Sequence, residues 1–123
     1  MQAFRSLFVW RRAHALALNV RRATRAFPRS GYGSLKSQMV SAAESIVCNI
    51  VEGCGATTRK EFARFLDISI KSTCELEYQL QLATDCGVLA SRDWQSVSAE
   101  TIEIRRMLCG LRRAVLEADR SQH

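Results

Sequence analysis

Apolar residues recur along this chain at alternating spacings of three and four, the period at which side chains return to one face of an α-helix. Val9, Ala13, Leu16, Val20, Ala23 and Phe27 form the first such stripe. It predicts a helix over about 5–26, ended by Pro28, Gly31 and Gly33. Leu35, Met39, Ala42, Ile46 and Ile50 predict a second helix over about 34–52, with Gly53 and Gly55 as its stop signals. Thr58, followed three residues later by Glu61, reads as a capping box. It opens a third helix over about 59–86, in which Phe62, Leu66, Ser69, Thr73, Leu76, Leu80 and Ala83 face one way and Gly87 supplies the stop. The hydroxyls of Ser69 and Thr73 are expected to bond to carbonyls one turn earlier. Trp94, Val97, Thr101, Ile104, Leu108, Leu111, Val115 and Ala118 predict a fourth helix over about 92–118, capped by Ser91 with Asp93 in its first turn. Four long helices joined by short connections force antiparallel neighbours. The expected fold is all-α, an up-down-up-down four-helix bundle in a single domain spanning 1–123.

Composition agrees with a folded helical chain: 123 residues, 47% hydrophobic, one proline and six glycines. The five cysteines are an odd number without a CxxC pair, which fits neither a zinc site nor a disulfide framework. They read as reduced, mostly buried thiols in a cytoplasmic protein, with partial exposure and reactivity expected at Cys48 and Cys54, which flank a helix end. No apolar run approaches a membrane span, and Arg5, Arg11 and Arg12 interrupt the N-terminal apolar stretch where a signal peptide would need a continuous core.

Charge changes the picture. The net charge is +6, yet residues 1–43 hold eight basic residues and no acid, whereas 44–123 hold ten basic and twelve acidic residues. At 100° per residue, Arg11, Arg22 and Arg25 cluster opposite the first stripe, with Arg12 and Arg21 flanking it. A one-sided arginine surface suits phosphate and attracts nucleic acid through counterion release. These five arginines are the candidate nucleic-acid contacts. The sequence shows neither a helix-turn-helix signature nor an aromatic and basic platform for single strands.

Candidate chemistry is sparse. A di-iron bundle needs Glu-x-x-His pairs, and none is present. His14 falls on the outer side of the first helix and His123 is the last residue, so no metal or cofactor is expected. Asn49, Glu52 and Glu75 lie close to the stripes, where a carboxylate more often caps or pairs than catalyses. The expectation is a protein without enzymatic activity. Its partners are then RNA, DNA or a nucleoprotein on the basic surface. The alternative is a protein-interaction scaffold in which Arg105, Arg106, Arg112 and Arg113 meet acidic groups such as Glu100, Glu103 and Glu117 across subunit or partner contacts. Apolar residues beside the stripes, among them Trp10, Leu18, Val47, Phe65 and Ile68, predict self-association.

Several segments resemble a known family: Trp10 and Ala13, Phe27-Pro28, Tyr32-Gly33, Gln38 with Ala42-Ala43, Asn49-Ile50-x-Glu52-Gly53, Lys60-Glu61-Phe62 with Phe65-Leu66, and Glu75-Leu76-Glu77. Together they resemble the four-helix-bundle proteins encoded by intervening sequences of bacterial large-subunit ribosomal RNA genes, over about residues 8–116. Within that resemblance Asn49, Glu52, Gly53, Phe62, Phe65 and Leu66 form a structural motif. The resemblance implies a left-handed antiparallel bundle, a homopentamer and no enzymatic activity. It extends remotely to the basic accessory protein of diversity-generating retroelements, which binds nucleic acid and a reverse transcriptase. Where the family usually carries an arginine pair in its second helix, this chain has Val40 and Ser41. Lys71-Ser72-Thr73 likewise replaces the family's Gly-Ser-Leu.

Overall fold

A computed structural model describes residues 3–121 of the chain, with side chains described over 3–118. Among these residues there are four α-helices and no strand: α1 (Phe8–Thr24), α2 (Gly33–Cys54), α3 (Arg59–Asp85) and α4 (Ser91–Ser121). The expected all-α four-helix architecture is present. α2 packs on α3, α3 on α4, and α1 closes the bundle against both α2 and α4. Contacts between neighbours run in opposite order along the two helices. Ser45 meets Ser72 while Gly53 lies against Phe62, and Arg105 meets Glu77 while Arg112 meets Asp67.

The stripes meet in one core. Leu16, Val20, Met39, Ile46, Ile50, Leu66, Leu76, Leu80, Ile104 and Leu108 are fully or almost fully buried. Their removal from water is the main stabilising term, roughly 1.5–3 kcal/mol for each large side chain before the entropy of ordering is set against it. Hydroxyls share this core, among them those of Ser69, Thr73 and Thr101. Thr73 donates to the Ile70 carbonyl at 2.6 Å and Thr101 to the Val97 carbonyl at 2.7 Å, each within its own helix. Ser69 departs from expectation by donating across the bundle to the Ile46 carbonyl of α2 at 2.8 Å.

Helix ends follow local chemistry, with two corrections. Thr58 caps α3 by accepting from the Glu61 N–H at 3.1 Å. Gly87, at φ +77°, ends the turn after α3 in the left-handed region. The first helix does not begin at Arg5. A single 3-10 turn occupies Phe4–Ser6, Leu7 is extended, and α1 starts at Phe8. The Ser6 hydroxyl donates to the Ala3 carbonyl at 2.7 Å, a local bond that competes with helix, and Leu7 packs against the core. The second correction concerns Gly53. It lies inside α2, which continues to Cys54, and Gly55 caps the helix at φ −87° without needing a left-handed conformation.

Candidate nucleic-acid interface

Four of the five candidate arginines belong to α1 and Arg25 caps its C-terminal end, but the fold divides them. Arg12 donates to Glu103 of α4 at 2.8 Å, and Arg21 donates to Glu44 of α2 at 2.5 Å. Both tie α1 to its neighbours. The Arg12 guanidinium holds the Glu103 carboxyl below the usual carboxylate range through that hydrogen bond and its charge. Arg11, Arg22 and Arg25 are exposed and take part in no ion pair among the described residues. Arg22 donates to the Asn19 side-chain oxygen at 2.9 Å, and the Asn19 amide in turn donates to Glu100 at 3.0 Å. Thus Arg22 is oriented by a neutral amide and keeps its net charge on the surface.

Aromatic rings surround the start of this basic face. The Phe8 ring is 55% exposed, with the Arg11 guanidinium 5.6 Å from its centroid. Trp10 and His14, one turn apart, are stacked at 5.2 Å with an interplanar angle of only 4°. Phe4 meets Trp10 edge-on at 5.1 Å, because the 3-10 turn folds it back over α1. An aromatic and basic cluster therefore exists here, where the linear sequence showed none. Its members are spread over two elements, and only the break at Leu7 brings Phe4 to Trp10.

Next to His14, a groove of about 240 Å³ runs between α1 and α2, lined by His14, Ala17, Leu18, Arg21, Glu44, Val47 and Cys48. Leu18 is 56% exposed in its wall.

Other candidate residues serve packing. Asn49 donates to the Ser45 carbonyl at 2.8 Å, inside a polar seam where Ser45 and Ser72 hydroxyls meet at 2.9 Å. A Cβ at Gly53 would lie 2.7 Å from the Phe62 ring and 3.3 Å from the Phe65 Cβ, so the absence of a side chain lets α2 and α3 approach at that point. Leu66 is fully buried beneath these rings. Glu52 and Glu75 are exposed, which removes the partly buried carboxylate that acid–base chemistry would use.

Among the described residues no three His, Cys, Asp or Glu side chains gather as metal ligands, and His123 lies outside those residues. No described helix is long and apolar enough to cross a membrane. The cysteine expectation is corrected: Cys48, Cys74, Cys86 and Cys109 are exposed, and only Cys54 is buried. Burial pushes the Cys54 thiol up, towards the neutral form. The four exposed thiols sit on outward positions of helices or at the α3 end, where the apolar stripes do not reach.

Two of the acidic groups expected to meet other chains, Glu100 and Glu103, are used within this one. Arg105 donates to Glu77 at 2.7 Å and Arg112 to Asp67, while Glu103 and Glu100 face Arg12 and Asn19.

Comparison with known proteins agrees with this architecture. Among solved structures, a protein of unknown function from the S23 ribosomal protein family of Bacteroides thetaiotaomicron VPI-5482 superposes with a TM-score of 0.76 at 22% identity, covering 84% of this chain and 96% of its own. That likeness bears on fold. No curated protein matches the sequence. The family model described as 23S rRNA-intervening sequence protein matches residues 5–110. With the match spanning most of the chain and all but the last turns of the bundle, the chain belongs to the family of 23S rRNA-intervening sequence proteins.

Proposed function

We propose that this protein is a non-enzymatic, self-associating bundle that binds nucleic acid through the outer face of α1. The observation that carries this reading is the division of the arginines: two are neutralised by carboxylates, and three remain exposed without an ion pair, Arg11 and Arg22 on a helix that contains no acidic residue and Arg25 at its C-cap. Arginine forks fit phosphate oxygens, and a surface of one sign draws a polyanion by releasing its counterions. Exposed Ile68 and Tyr78 of α3 support association between copies, a pentamer being the state the family resemblance implies. Several α1 faces in one assembly then multiply weak individual sites.

The scaffold reading loses support because Arg105, Arg112, Glu100 and Glu103 bond inside the chain. Fluorescence anisotropy of labelled RNA against the wild type and the Arg11→Glu, Arg22→Glu, Arg25→Glu triple variant tests the proposal. The triple variant is expected to lose binding at physiological salt while keeping its helical content and its mass by light scattering. Equal affinity in the two proteins, or none in either, overturns it.

A further inference from the structure

The basic face of α1 ends in a groove whose shape and lining are suited to a flat aromatic ring. His14 is exposed and lies parallel on Trp10, which is itself half-buried against the core and braced edge-on by Phe4. One surface of the imidazole is thus backed by the Trp10 ring, and His14 also lines the groove. Leu18 stands one turn further along α1, and Ala17 and Val47 add apolar surface from below. At about 240 Å³ the groove is smaller than the roughly 300–1,000 Å³ of sites for drug-sized ligands, which is the scale of a single heterocycle.

Charge identifies the molecule to which that ring belongs. Arg11 lies on the N-terminal side of the groove, and Arg22 and Arg25 lie on its C-terminal side. All three fall within about 60° of one another around the helix. The one carboxylate at the groove, Glu44, is already paired with Arg21. A second copy presenting the same face would bring two sets of unpaired arginines together, which like-charge repulsion opposes. A ring flanked by phosphates meets no such opposition.

We propose that this groove stacks an unpaired nucleobase on His14, so that α1 binds single-stranded nucleic acid in preference to duplex. The inference rests on the nucleic-acid reading of α1 and adds the form of the ligand. In a duplex the bases are stacked inside and only phosphates reach the arginines. A single strand offers both, and base–aromatic stacking accepts any base because each has a π-face.

The test uses the Trp94→Phe variant, which leaves Trp10 as the only tryptophan, titrated with a short oligoadenylate RNA, its DNA equivalent and the corresponding duplex. Both single strands are expected to change Trp10 emission, and the duplex to leave it unaltered. In anisotropy, His14→Ala is expected to weaken single-strand binding about tenfold, the order of one stacked base. It should leave duplex binding unchanged, and His14→Phe should restore the preference. His14 is exposed, so circular dichroism of these variants should match the wild type.

If His14→Ala weakens single strands and duplex equally, or neither, the stacking site is wrong. When that result comes with loss of binding in the arginine triple variant, the reading of the α1 face stands without it. Absence of any nucleic-acid binding in the wild type defeats both. A lower mass by light scattering for His14→Ala, with the strand preference intact, would make the groove a contact between copies and overturn the proposal.

Discussion

Gly53 shows how a residue can carry two local readings between which only a distant contact decides. Two glycines after an apolar stripe are the usual sign of a helix end, and α2 does end between them, at Cys54. Yet Gly53 is helical, and what it supplies is space for Phe62, nine residues later in the chain. That contact cannot be read from spacing, because it depends on the turn that returns α3 along α2. Gly53→Ala would place a methyl carbon 2.7 Å from the Phe62 ring. Overpacking of this kind costs about 1–3 kcal/mol, more than the gain in helix propensity so near a helix end. The denaturant midpoint is therefore expected to fall with an unchanged slope, and Phe62→Leu in the same chain to recover part of the loss. A midpoint equal to the wild type would show that the ring yields freely. Ser69 teaches the same lesson: a hydroxyl in an apolar stripe was expected to bond within its helix, and it bonds to the Ile46 carbonyl on α2 instead. Its donor was legible, but the acceptor was not.

At the scale of elements, the helical stripes were legible because burial requires every third or fourth residue to be apolar, and the core follows them from Val9 to Val115. The exception is the start of α1. Apolar and basic residues flank Ser6 on both sides, so periodicity offers no sign of the 3-10 turn that its hydroxyl helps to hold. This break also creates the aromatic cluster, which is why that part of the candidate site was missed. The arginine face itself was legible, since direction around a helix follows from residue number. Which arginines would be neutralised was not, because Glu44 and Glu103 come from α2 and α4. The Arg12–Glu103 pair has a pH signature. Its carboxyl is depressed in the folded state, so the contribution to stability is present above the ordinary carboxylate range and is lost as pH falls through the depressed value. By NMR, the Glu103 carboxyl is expected to titrate below an unpaired glutamate, and Arg12→Ala to move its midpoint upward. A midpoint indifferent to Arg12 would mean that the pair does not persist in solution.

For the whole molecule, the distribution of charge has more functional content than any single cavity. The interior is filled by the stripes, and the hydroxyls named above find acceptors there. Arg105 with Glu77 and Arg112 with Asp67 pair α4 with α3, whereas the acid-free first third of the sequence carries most of its positive charge on α1 and the loop after it. Arg11, Arg22 and Arg25, exposed and without an ion pair among the described residues, give this acid-free region an outward basic face. Assembly into an oligomer would repeat that face around the particle, and its binding to a polyanion would rest on released counterions. The salt dependence of RNA affinity tests this most directly. For the wild type, the logarithm of the binding constant should fall steeply and linearly with the logarithm of salt concentration. At low salt, where some binding persists, the Arg11→Glu, Arg22→Glu, Arg25→Glu variant should show a slope shallower by about 2 or more, the share of three phosphate contacts on a single strand. A wild-type affinity that is the same at low and physiological salt, or equal slopes in the two proteins, would contradict the account.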